Sequence, residues 1–92
     1  MSIVRFTTIF SGGVGSLDIL IDNVTTLKFI TDGHQDINLA VGFHRYTASG
    51  AASSGQGGNI QLGISGSVIA ASPQNFGPGP FPSVTDDIDV TA

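Results

Sequence analysis

The stretch SLDILIDNVTTLKFITDGHQDINLAVGFHRY, Ser16 to Tyr46, decides the fold. Leu17, Ile19 and Ile21 alternate with Ser16, Asp18 and Asp22. Leu27 and Phe29 lie among Thr26, Lys28 and Thr31, and Ile37, Leu39, Val41 and Phe43 alternate with Asn38, Ala40, Gly42 and His44. Period-two alternation marks half-buried strands with one face in and one out. Asp22-Asn23 and Asp32-Gly33 are turn dipeptides in the gaps.

Parity then fixes a register. A two-residue loop at Asp22-Asn23 would pair Ile21 with Val24 and turn Leu27 and Phe29 onto the wrong face. An odd loop instead sets Ile21 against Thr25, Ile19 against Leu27 and Leu17 against Phe29. The same argument at Asp32-Gly33-His34 sets Phe29 against Ile37 and Leu27 against Leu39. The expectation is a three-stranded meander with two odd hairpin loops, each a type I turn ending in a bulge. Asp18, Lys28 and Asn38 should then stand side by side on the outer face.

Working outward, residues 2–10 read as a first strand, with Val4, Phe6 and Phe10 on one parity. Ser11 to Gly15 is a glycine-rich turn; no lysine and no helix follow it, so a phosphate-binding loop is not expected. Thr47 to Gly58, rich in Ala, Ser and Gly, reads as a low-complexity segment that is either mobile or ordered only by a neighbour or ligand. Asn59 to Ser65 and Ser67 to Ser72 read as strands joined at Ser65-Gly66. Pro73 to Pro82 holds all four prolines and excludes a central strand there. Val84, Ile88 and Val90 mark a final strand, whose apolar parity Asp86 interrupts. The fold expected over residues 1–92 is a single all-β domain, a small antiparallel sandwich or jelly-roll-like arrangement of about seven strands.

Composition narrows the function. The 92 residues carry a net charge of −4, with only three Lys and Arg, so phosphate-backbone binding to nucleic acid is not expected. Cysteine and glutamate are absent and there are two histidines, which leaves little for thiolate or acid–base catalysis; an enzyme is not expected. Gly63-Ile64-Ser65-Gly66 joins two strands, so it lacks the context of a nucleophile elbow. No apolar run reaches membrane-spanning length, and Met1 to Thr8 has no signal-peptide core. A cytoplasmic or leaderless secreted protein without cofactor is the expectation.

Three clusters invite chemistry. His34 with Asp32 and Asp36 offers too few ligands for zinc or calcium and reads as a solvated turn. Asp86, Asp87 and Asp89 could hold calcium only with oxygens from elsewhere; the competing reading is protection of an edge strand. Asn38, His44, Arg45 and Tyr46 combine amide, imidazole, guanidinium and phenol near one strand end. Those groups suit hydroxyl-rich ligands, with His44 and Tyr46 expected on the outer face beside Asn38; the competing reading is a polar strand end with Tyr46 capping the core. They are the expected ligand-binding residues of a glycan-binding, lectin-like homo-oligomer. The alternative is a structural assembly subunit, in which Phe76 and Phe81 of the proline stretch would be buried between chains.

Overall fold

The computed structural model describes residues 2–55 and 57–91. They form nine strands: β1 (Ser2–Ser11), β2 (Ser16–Ile21), β3 (Thr25–Phe29), β4 (Gly33–Leu39), β5 (Gly42–Ala51), β6 (Asn59–Gly66), β7 (Val68–Ile69), β8 (Gln74–Phe76) and β9 (Pro80–Val90). Two antiparallel sheets, ordered β4-β1-β6-β8 and β3-β2-β5-β9-β7, make the expected all-β sandwich. Among the described residues, no helix is long and apolar enough to cross a membrane.

Alternation builds the core. Val4, Phe6 and Thr8 of β1 are buried, as are Leu17, Ile19 and Ile21 of β2 and Ile60, Leu62 and Ile64 of β6. Ile3 and Ile9, on the other parity of β1, face outward. Burying one such aliphatic side chain stabilises by about 1.5–3 kcal/mol.

The first hairpin has the register that parity dictates: Ile21 faces Thr25, Ile19 faces Leu27, Asp18 faces Lys28 and Leu17 faces Phe29. Its turn is not type I, however. Asp22 and Asn23 lie at φ 53° and 57°, and Val24 N–H donates to Ile21 O at 3.0 Å. Two left-handed residues match the twist of the flanking strands, as in a type I′ turn.

The second hairpin does not form. β4 leaves the sheet of β3 and pairs with β1 in the other sheet, Leu39 facing Ser2 and Ile37 facing Val4. Asn38 therefore faces Ile3 rather than Lys28, and Ser49 lies on the other side of Asp18. Asp32 and Thr31 are drawn toward β1: Phe10 N–H donates to Asp32 Oδ1 at 2.7 Å, and Thr8 Oγ1 donates to Thr31 O at 3.1 Å. His34 belongs to β4, opposite Thr7, and not to a loop.

The run Ile37 to Tyr46 is likewise two strands, not one. The chain turns a corner at Ala40-Val41, and Gly42 follows at φ 126°, a conformation that side chains resist. Inward parity changes across the corner. Leu39 is buried from the odd positions of β4, while Tyr46 and Ala48 are buried from the even positions of β5. Phe43 is thrown outward, 81% exposed.

The Ala/Ser/Gly run is mostly strand as far as Ala51, paired with both β2 and β9. Small residues are needed where β2 passes: a Cβ on Gly50 would lie 2.2 Å from Ser16 O. Between Ala48–Val84 and Gly50–Phe81 the register shifts, with the extra residue on β9 at Pro82-Ser83. A bulge accommodates a proline that lacks an N–H for the ladder. Phe76 and Phe81 stack within the chain, ring centroids 4.9 Å apart, with Phe76 buried.

Candidate functional site

The four residues singled out by sequence are not brought together. Asn38 is exposed on β4 in one sheet, while His44, Arg45 and Tyr46 lie on β5 in the other. Tyr46 is 1% exposed, so the expected outer-face position is corrected: its ring meets Phe6 edge-on in the core, centroids 6.2 Å apart. Its hydroxyl accepts a 2.9 Å bond from Gln74 Nε2, which also donates to Asp86 Oδ2 at 3.0 Å. Burial first, and then the Asp86 charge, push the Tyr46 phenol up to about 12, against the pull of the Gln74 bond. Tyr46 and Asp86 belong to one sheet and Gln74 to the other, so this triad ties the layers together.

His44 and Arg45 do share a place, and Asp22 organises it. The Asp22 N–H donates to Arg45 O at 2.8 Å, and the Arg45 N–H returns a 3.1 Å bond to Asp22 Oδ1. The His44 Nδ1–H donates to Asp22 Oδ2, and its Nε2–H donates to Ala40 O at 2.7 Å. A carboxylate and a carbonyl only accept, so both bonds are made together when the ring carries both protons. The bond to Asp22, followed by that to Ala40, raises the His44 pKa; the same His44 bond and the Arg45 N–H lower that of Asp22. One histidine thus fastens the β2–β3 turn to the β4–β5 corner.

Around this clasp lies an open depression of about 410 Å³, lined by Asp22, Asn23, Phe43, His44, Arg45 and Asp87. Arg45 Nε donates to Asp87 Oδ1 at 3.0 Å, with both side chains well exposed. An exposed ion pair of this kind adds little stability. Its remaining guanidinium N–H groups and carboxylate oxygen present donors and an acceptor side by side. Phe43 adds an exposed aromatic face, so the cleft offers an apolar platform within reach of directional polar groups.

Sequence reasoning missed Phe43, Asp22, Asn23 and Asp87 as members of this cleft. Unbroken alternation across Gly42 places Phe43 on the parity of Ile37 and Leu39, and only the corner at Ala40-Val41 turns it out. Asp22-Asn23 was legible as a turn, but its contact with His44 spans two sheet strands and has no local signal.

The acidic residues of β9 divide between faces: Asp86 is turned in toward Gln74, while Asp87 is turned out toward Arg45. The stretch of β9 that holds Asp86 and Asp87 is itself an edge among the described residues, since β7 pairs only with Asp89 and Val90. Among the described residues, no group of three or more His, Cys, Asp or Glu side chains is placed to hold a metal ion. A second depression, of about 310 Å³, lies on the other sheet around Ile3, Arg5, Asp36 and Ser65. Compared with protein-family models, curated proteins and solved structures, the chain matches none.

Proposed function

We propose that this chain is a non-enzymatic carbohydrate-binding domain whose site is the cleft around Phe43. The observation that carries the reading is the 81% exposure of Phe43 beside Asn23, Arg45 and Asp87. A pyranose presents a C–H face to an aromatic ring and hydroxyls at its rim. Phe43 takes the first; the Arg45–Asp87 pair and the Asn23 amide exchange hydrogen bonds with the second. His44 holds Asp22 and the strand corner in position. Shallow open sites bind single sugars weakly, so several copies acting together would supply avidity.

The test is a glycan-array screen of the wild-type chain beside Phe43→Ala and Asn38→Ala. Selective binding that Phe43→Ala abolishes and Asn38→Ala leaves intact is the expected result. Binding lost with Asn38→Ala instead would remove the site to the other sheet.

The second reading, an assembly subunit, draws on different residues. Val24, Ile30 and Ile69 are exposed apolar side chains at the sides of the sandwich. The Phe76–Phe81 pair is a weaker support for it, because the two rings stack within one chain and Phe76 is buried there.

A further inference from the structure

We propose that a second copy of this chain pairs with β4, antiparallel and about a two-fold axis at Gln35, so that one sheet continues into the other. The inference is independent of the glycan reading.

The two lateral sides of the sandwich are built differently. On one, β7 and β8 have only two and three residues, with Pro73 and Pro78 just outside β8; β7 covers only Asp89 and Val90 of β9, and the rest of that edge carries Pro80 and Pro82. Short strands and prolines blunt an edge against pairing. On the other, the edges are β3 and β4, of five and seven residues, without a proline in either. The edge of β3 is partly occupied, since Gln35 Nε2 donates to Lys28 O at 2.7 Å, and Lys28 itself adds a charge. No such cover lies along β4 among the described residues. Its one acid, Asp36, is neutralised on its own sheet by Arg5, which donates from Nε at 2.8 Å and from Nη2 at 3.0 Å. Val24 and Ile30, 83% and 76% exposed, flank β3 on this same side.

Register follows from faces and charge. Two identical antiparallel strands keep inward residues inward only when the axis passes through a residue. An axis at Asp36 would oppose two carboxylates. An axis at Ile37 would set Gln35 against Leu39. An axis at Gln35 sets His34 against Asp36 of the second copy, twice, and Gly33 against Ile37. An imidazole N–H can donate to the carboxylate opposite it, whereas like charges directly across a ladder are unfavourable. The exposed row His34, Asp36, Asn38 thus contains its own complement.

Sedimentation velocity over a concentration series, up to millimolar chain, is the experiment. The wild-type chain is expected to show a reversible dimer. His34→Asp puts like charges opposite each other twice and is expected to raise Kd about tenfold or more. Because the chain has no cysteine, Gln35→Cys gives one thiol per chain, next to the axis. It is expected to oxidise to a covalent dimer faster than Asn38→Cys. A monomer at every concentration would overturn the proposal. So would a dimer that His34→Asp leaves unchanged and Gln35→Cys does not trap, which would place the contact elsewhere or assign the edge to another protein's strand.

Discussion

Replacing Gly50 with alanine tests the strand assignment of the Ala/Ser/Gly run. Gly50 sits at φ 145°, and a Cβ there would lie 2.2 Å from Ser16 O and 3.2 Å from Leu17 Cα. Both neighbours are backbone of β2, so no flexible side chain can swing away. Two costs add. An alanine forced to this φ costs about 1–2 kcal/mol, as for other residues in sparsely populated backbone regions. Displacing packed backbone adds about 1–3 kcal/mol, the usual range for overpacking. The sum is about 2–5 kcal/mol. Gly42→Ala is the control: its φ is 126°, but a Cβ there meets nothing within 4 Å, so only the first cost applies. Urea denaturation monitored by circular dichroism gives both values from the shift in midpoint at constant m. Thermal melting should fall by about 4–8 °C per kcal/mol for a domain of this size. If Gly50→Ala matched Gly42→Ala within about 0.5 kcal/mol, the close approach of β5 to β2 would be wrong and the run would be a loop after all.

The His44–Asp22 clasp predicts a stability maximum in mildly acid solution. The raised His44 pKa contributes stability that is complete below about 6.5 and is lost as pH climbs through the folded value. The lowered Asp22 pKa contributes stability that is present above about 3.9 and is lost as pH falls through the folded value. Denaturation midpoints measured from pH 3 to 9 should therefore flatten markedly in His44→Gln. Phe81→Ala should lower stability by about 1–3 kcal/mol through the lost stack on Phe76, without changing molar mass in sedimentation. Tyr46 is the only tyrosine and there is no tryptophan, so alkaline ultraviolet titration reports one group. Phenolate should appear near pH 12 while the chain is folded, and stability should fall from about pH 10 upward as the unfolded chain ionises first.

Much of the architecture was legible because period-two patterning is a local property. The β2–β3 register followed from the parity of Leu17, Ile19, Leu27 and Phe29 alone. What the pattern could not carry was partnership. Ile37 and Leu39 alternate as well beside Val4 as they would beside Phe29 and Leu27, and the choice is made by contacts distant in sequence. The change of parity between Leu39 and Tyr46 had one local cue, Gly42, embedded in otherwise unbroken alternation. That single corner displaced the candidate site. It turned Tyr46 into the core and Phe43 out of it, and it separated Asn38 from His44 and Arg45. In Gly50 and its small neighbours, low complexity reflected close approach between strands rather than a loose loop.

The fold and the cleft connect through Asp22. Its main-chain bond to Arg45 extends the β2–β5 ladder by one residue, and its carboxylate fixes His44 and the Arg45 N–H. The exposed face of Phe43 and the Arg45–Asp87 pair are thereby held on paired strands rather than on a loose connection. A rigid mount lowers the cost of ordering the site when a ligand arrives. The most direct test is a titration of ¹⁵N-labelled chain with a glycan selected from the array, followed by backbone and side-chain amide shifts. Binding at the cleft predicts saturable shifts confined to Asp22, Asn23, Phe43, His44, Arg45 and Asp87, abolished by Phe43→Ala. Shifts centred on Asn38 and the outer face of β1, or saturable binding that survives Phe43→Ala unchanged, would contradict it.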